Sequence, residues 1–324
     1  MWGSVLIICL IVLLIGIRVR IYFRGKKCEA YRDISNMTIL ITGGSKGLGQ
    51  ETIKQLAKFK CRIIFGCRSR PNEFLKQLLE SFPQTKIQYF PLDLQSWNSI
   101  KQFAARVKQE VDRIDVVINN AGIMGTLTRE FTHYGFEAQF GTNYLGPFFL
   151  NHLLLDLLKK SNSPRIINVS SIAHVFQNLD FNDLNCDKWA NSLLWSRIYT
   201  YRAYGNTKFA QILNAQEFSE RTGVKACALH PGVVRTEVLQ HQLSAWWFNL
   251  IMSIAWPIYS FFTKDSYYGC QTILFCLMIK DEELVDGGFY KDCKLAKARF
   301  TSREKAKKLW DVSLQLISKL DNLY

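Results

Sequence analysis

Ile39-Leu-Ile-Thr-Gly-Gly-Ser-Lys-Gly-Leu-Gly49 carries three apolar residues into a glycine-rich turn, and Gln50-Glu-Thr-Ile-Lys-Gln-Leu-Ala57 continues at helical spacing. Strand, tight turn and helix start, in that order, aim backbone N–H groups at a pyrophosphate, and the helix dipole favours negative charge there. The glycines Gly43, Gly47 and Gly49 read G-x-x-x-G-x-G, which differs from the G-x-G-x-x-G dinucleotide fingerprint. A glycine turn alone is only a turn. This one gains weight from its flanks, which read as strand before and helix after. Gly43, Ser45, Lys46, Gly47, Leu48 and Gly49 are therefore candidate cofactor-binding residues.

Outward from this turn the chain alternates. Short apolar runs at 37–42, 61–66, 87–92, 115–119, 165–170 and 224–230 predict strands, and Gly287-Gly-Phe-Tyr290 predicts a last short one. Helical spacing fits 71–82, 97–111, 131–160 and 201–221. Fully apolar strands alternating with amphipathic helices predict a doubly wound parallel α/β sheet of the Rossmann type. No repeat or long linker interrupts it, so one domain is expected from about 35 to 293.

Residues 2–17 carry no charge. As a helix they would span roughly 24 Å, and Val19 with Ile21-Tyr-Phe23 lengthens the stretch while the arginines between them snorkel. A signal peptide would place basic residues before the apolar run and a small-residue cleavage site after it, and neither is visible. The cations Arg18, Arg20, Arg24, Lys26 and Lys27 come afterwards instead. Residues 1–24 thus read as a single transmembrane anchor that leaves the remainder in the cytosol.

The formal net charge of +14 comes largely from that flank and from the basic tail 294–324, with Lys294, Lys297, Arg299, Arg303, Lys305, Lys307 and Lys308. Beside an anchor, anionic lipid head groups account for these charges better than nucleic acid, for which no motif is present. The nine cysteines form no C-x-x-C pair and no zinc-ligand spacing. Reduced thiols and no metal are expected.

An NAD site wants an acidic residue about 20 positions past the glycine turn, to accept from the ribose 2′-OH. None occurs between Cys61 and Arg70; Arg68 stands there, with Lys46 inside the turn. Two cations suit a 2′-phosphate, so NADP(H) is the expected cofactor. Further along come Asp93, Asn119-Asn120-Ala121-Gly122, Asn143, Ser170-Ser171, Tyr204-x-x-x-Lys208 and Pro231-Gly232-x-x-x-Thr236. A Tyr and a Lys four apart share a helix face. A cation held beside the phenol would lower its pKa toward working pH, giving a usable proton donor or acceptor.

Over residues 37–292 these motifs, in this order and spacing, resemble the short-chain dehydrogenase/reductase family. The resemblance implies that Tyr204 is the proton donor/acceptor and that Lys208 tunes it and binds ribose. It implies that Ser171 polarises the substrate carbonyl, with Ser170 its structural neighbour, and that Asn143 supports a relay water. Asp93 would accept from adenine, while Asn120, Ala121 and Gly122 would border its ribose. Pro231, Gly232, Val234 and Thr236 would lie along the nicotinamide amide.

Within the family, the anchor, Gly66-Cys-Arg68, Asn168-Val-Ser-Ser-Ile-Ala-His174 and Leu309-Trp-Asp-Val-Ser313 resemble the microsomal retinol dehydrogenase and retinal reductase group. Polyprenol-directed relatives share Phe136-Glu-x-x-Phe140 before Asn143-Tyr-Leu-Gly146. The expected substrate is an apolar long-chain alcohol or its aldehyde, retinol and retinal first, with polyprenol or steroid as the alternative. A non-catalytic membrane-tethered NADPH-binding scaffold would not need Ser171, Tyr204 and Lys208 together. The resemblance further implies an endoplasmic reticulum membrane or lipid droplet location, and leaves a homo-oligomer open. Residues 243–262, rich in Trp and Phe, are expected to form an apolar substrate lid whose Trp246, Trp247 and Phe248 dip into the membrane interface. A second span there would separate two strands that must meet in one sheet.

Overall fold

The computed structural model describes residues 2–125, 129–177, 179–190, 196–235, 256 and 259–321. Eight strands form one sheet: β1 Thr38–Thr42, β2 Arg62–Cys67, β3 Ile87–Pro91, β4 Val116–Asn119, β5 Arg165–Val169, β6 Lys225–His230, β7 Phe289–Lys291 and β8 Lys294–Ala296. Their order is β3-β2-β1-β4-β5-β6-β7-β8. Every pairing is parallel except β7 with β8, which closes the edge as a hairpin. The chain winds outward from β1 to β3, then returns to place β4 on the other side of β1. That reversal opens a crevice at the carboxyl ends of β1 and β4, where sheets of this kind take ligands.

Strands buried on both faces need an apolar layer on each side. One layer packs the helices Trp97–Glu110, Gly146–Leu153, Ser196–Thr222 and Arg303–Asp321. The other packs Gly47–Leu56, Asn72–Ser81 and Ser266–Met278. The expected parallel α/β sheet is present, with its strands within about a residue or two of the predicted runs.

The chain departs from the sequence reading at two places. A continuous helix over 131–160 is not formed: Gly135 turns with φ of 84°, Phe131 bridges Glu137, and helix begins only at Ala138. Glu137 caps that start by accepting from the Phe140 N–H at 2.7 Å. Residues 294–324, read as a basic tail, supply β8 and the helix Arg303–Asp321, whose Leu309, Trp310 and Ile317 join the core. Its lysines occupy only the outer face of an amphipathic helix.

At the other end, Trp2–Arg24 is one helix of 23 residues. Among the described residues no helix is long and apolar enough to cross a membrane. Of the expected lid 243–262, only 256 and 259–262 lie within the described residues, so Trp246, Trp247 and Phe248 fall outside them, as does Thr236.

Candidate active site

The glycine turn follows β1 directly, and its close approaches explain why small residues stand there. Gly43 has φ of 74°, and a Cβ on it would lie 2.8 Å from the Cα of Ala121. A Cβ on Gly49 would strike the carbonyl oxygen of Gly43 and the side-chain amide of Asn120. The Asn120 amide donates to the carbonyls of Thr42 and Gly43 at 3.0 and 3.1 Å. Thr42 Oγ1 in turn accepts from the N–H groups of Asn120 and Ala121, each at 3.1 Å. The turn after β1 and the segment after β4 are thus one packed unit.

Across this cradle, β2 ends in buried Cys67, whose thiol meets the Ser45 hydroxyl and also donates to the Ser69 carbonyl at 3.2 Å. Arg68 and Lys46 are both exposed at the same carboxyl edge of the sheet. Asp93, just past β3, accepts from the Gln95 N–H at 2.9 Å. Val234 and Leu48 converge on one point, for a Cβ added to Gly269 would meet both at 2.7 and 2.9 Å. The segment after β6 therefore borders the glycine turn. Gly232 takes φ of 96°, a conformation that only glycine adopts cheaply.

The chemistry-bearing side chains come together between β5 and the helix Ser196–Thr222. That helix is buried through Phe209, Ala210, Ile212 and Leu213, so its polar residues must find partners inside. Lys208, 4% exposed, donates to the Val169 carbonyl at 2.8 Å and to Gln211 Oε1 at 3.3 Å. Tyr204 and Ser171 share a hydrogen bond between their hydroxyls. Ser170 is buried beside them and donates to the Lys208 carbonyl at 2.7 Å. Ser170 thus ties strand to helix, while Ser171 keeps an accessible edge.

Asn143 sits in the widened turn Gly141–Leu145 between two helical segments, a distortion that recurs at functional sites. Its amide accepts from the Ile123 N–H at 2.8 Å and donates to the Ile123 carbonyl at 2.9 Å and to Thr207 Oγ1 at 3.1 Å. Gln211 Nε2 donates to the Asn143 carbonyl at 2.7 Å. A Cβ on Gly122 would lie 3.2 Å from Asn143 Oδ1 and 3.5 Å from the Lys208 ammonium. The segments after β4 and β5, the widened turn and the long helix therefore converge at one spot.

The electrostatics differ from the expected picture of a cation lowering a phenol. Burial drives the Lys208 ammonium down to about 7. Burial also pushes the Tyr204 hydroxyl up to about 12, and its bond to Ser171 offsets only part of that. The lysine nitrogen stands 5.4 Å from the centre of the Tyr204 ring, over its face. Desolvation is the dominant cause for both groups.

Thr207 and Gln211 were missed in the sequence reading. Thr207 precedes Lys208 and Gln211 follows it by three, and buried polar residues recurring in a helix flanked by Phe209, Ala210, Ile212 and Leu213 were the available signal. His230 was missed too. It accepts from the Ile172 N–H at 3.2 Å, and burial with Lys291 and Lys264 nearby pushes it down to about 3. It stays neutral and holds the segment that follows Ser171.

A sequence profile described as short chain dehydrogenase matches residues 37–198. Mouse (Mus musculus) retinol dehydrogenase 12 is 33% identical over 306 residues, covering 92% of each chain. Retinol dehydrogenase 13 of Homo sapiens is 36% identical over 305 residues, covering 91% of this chain and 89% of its own. Retinol dehydrogenase 11 of Homo sapiens is 34% identical, covering 90% and 88%. Among solved structures, salutaridine reductase from Papaver somniferum shares the fold with a TM-score of 0.57 at 18% identity, covering 79% of this chain and 99% of its own. Levodione reductase does so with a TM-score of 0.59 at 16% identity, covering 85% and 99%.

Proposed function

The chain belongs to the short chain dehydrogenase family and is an oxidoreductase of that family, and from that premise we propose that it interconverts an apolar long-chain alcohol and its aldehyde with NADP(H), retinol and retinal first. The meeting of Tyr204, Ser171 and Lys208 at the crevice edge carries this reading. The cradle fits a dinucleotide, because glycines at 43 and 49 let the turn after β1, at the start of a helix, pack directly on Ala121 and Asn120. Gly43, Ser45, Lys46, Gly47, Leu48 and Gly49 would hold the pyrophosphate side. Asp93, Asn120, Ala121 and Gly122 would hold the adenosine side, and Pro231, Gly232, Val234 and Thr236 the nicotinamide side.

Bound NADP(H) supplies hydride transfer. In the reducing direction the Tyr204 hydroxyl gives its proton to the substrate oxygen while Ser171 donates a hydrogen bond to the same atom. Lys208, fixed on Val169 and Gln211, brings its ammonium to the site, and Asn143 holds the segment after β4 in place. Alignment of the substrate is what the protein contributes.

The names of three relatives support a retinoid over a steroid or polyprenol. Residues 1–24 would anchor the chain in the endoplasmic reticulum membrane or a lipid droplet, with 35–293 facing the cytosol, 294–324 near anionic lipid, and 243–262 as the lid to a bilayer-dissolved substrate. Protease added to intact microsomes should then digest the catalytic domain. Protection until detergent is added would reverse the orientation.

Cofactor oxidation over retinal, a steroid ketone, a polyprenal and a short aldehyde tests the activity, and retinal should be turned over fastest with NADPH. No turnover of any of the four would leave a cofactor-binding scaffold instead. In the same assay Arg68→Ala should weaken NADPH by roughly ten- to a hundredfold, the worth of a charge-assisted contact to phosphate, about 1.5–3 kcal/mol. NADH should change little. Equal weakening of both would assign Arg68 to structure rather than to the 2′-phosphate.

A further inference from the structure

Lys264 has no part in the cradle or the proton chemistry, yet it is 5% exposed. A buried ammonium persists only where it is paired. Its Nζ meets Asp292 Oδ1 at 2.6 Å. Its stem crosses Gly232, where a Cβ would lie 2.6 Å from Lys264 Cε. Its backbone bonds to the same loop: the Lys264 N–H donates to the Val233 carbonyl at 2.8 Å, and the Arg235 N–H donates to the Lys264 carbonyl at 2.9 Å.

On the far side of Lys264 stands the end of the N-terminal helix. A Cβ on Gly25, which has φ of 78°, would collide with the Lys264 ammonium and lie 2.9 Å from Asp292 Oδ1. Arg20 donates to the carbonyls of Phe261 and Thr263 at 3.2 and 3.0 Å, and Phe23 packs edge-on against Phe262 with centroids 5.0 Å apart. The Cys28 N–H then donates to Gln271 Oε1 at 3.0 Å, on the helix whose Gly269 faces Val234 and Leu48.

A lysine side chain thus passes between two backbones, at Gly25 and Gly232, and is fixed at its tip. We propose that Lys264 is a positioning residue that bolts the loop 231–235 to residues 20–28, so that the end of the N-terminal helix sets the geometry of the nicotinamide side of the site. The loop has a glycine at positive φ and many conformations to lose, and a fixed lysine removes the alternatives. The N-terminal helix then does more than tether the enzyme. This rests on the reading of 231–235 as the nicotinamide-side loop.

The test uses the full-length protein in detergent micelles and two ligands, NADPH and 2′-phospho-ADP-ribose, which lacks the nicotinamide. Lys264→Met combined with Asp292→Asn removes the bolt without leaving a bare buried carboxylate. Arg20→Gln loosens the same junction from the helix side and leaves Lys264 in place. Val234→Ala perturbs the loop itself. Both junction variants should bind NADPH about tenfold more weakly and lose about tenfold in kcat, since small misplacements are costly at a reacting centre. Binding of 2′-phospho-ADP-ribose should stay within about twofold of wild type. Equal weakening of both ligands would overturn the proposal in favour of general stability. If only Val234→Ala separates the two ligands, the bolt is refuted and the loop reading stands. If no variant separates them, the loop reading falls and the proposal with it.

Discussion

Replacing Tyr204 by Phe is expected to leave NADPH bound and to cut turnover by at least the roughly 10²–10⁴ that general acid–base catalysis supplies. The substitution keeps the ring, and with it the contact to the Lys208 ammonium 5.4 Å from its centre. It removes only the hydroxyl that bonds to Ser171. Single-turnover mixing with retinal would read the chemical step directly, and NADPH titration would read the cradle. Residual activity above about a tenth of wild type would mean that the proton reaches the substrate from another group. Because burial holds this phenol near 12, the reducing direction has a protonated tyrosine at every physiological pH.

The parts of this site that were legible in the sequence are those set by near neighbours in the chain. The glycine turn needs only β1 before it and a helix after it, and both are local. Tyr204 and Lys208 are one helical turn apart, so their shared face follows from periodicity. Ser171 directly follows the apolar run 165–170, which reads as a strand, and its role as distinct from that of Ser170 came from the family resemblance. The partners across the fold were not. Gln211 reaches Asn143 over 68 positions, Lys208 reaches Val169 over 39, and Arg20 reaches Thr263 over 243. No spacing rule connects residues so far apart, because their meeting depends on how whole layers pack.

The ionisation of the pair was misread for a related reason. A lysine four residues from a tyrosine suggests a cation acting on a phenol, which assumes a solvated helix. The helix Ser196–Thr222 is buried at that point instead, with Thr207, Lys208, Phe209 and Ala210 almost inaccessible. In such surroundings the cost of burying charge falls on both members, so the lysine moves down and the tyrosine up.

That depressed lysine makes Lys208→Met the second substitution with a large expected effect, and one that acts in opposite directions on activity and stability. Turnover should fall about a hundredfold or more, the scale of losing a proton-handling group. Stability of the ligand-free protein should change in a way that depends on pH. The folded-state value of about 7 lies below the ordinary 10.5, so between those values the unfolded chain holds a proton that the folded chain does not. Stability of the wild type should therefore rise with pH through this window, on the order of 1 kcal/mol per pH unit, and that gain is lost as pH falls to 7. Between pH 7 and 8.5 the other groups with resolved shifts add slopes of their own, which wild type and variant share. His152, His174 and His230 are pushed down from 6.5. Thiols such as Cys61, Cys186 and Cys270 are pushed up from 9.0. Lys208→Met, which carries no buried charge, should be the more stable of the two at pH 7, and its lead in urea midpoint over the wild type should shrink as pH rises across that interval. Parallel slopes for both proteins would show that Lys208 keeps its proton in the folded state, and that its ammonium is already paid for by Val169 and Gln211.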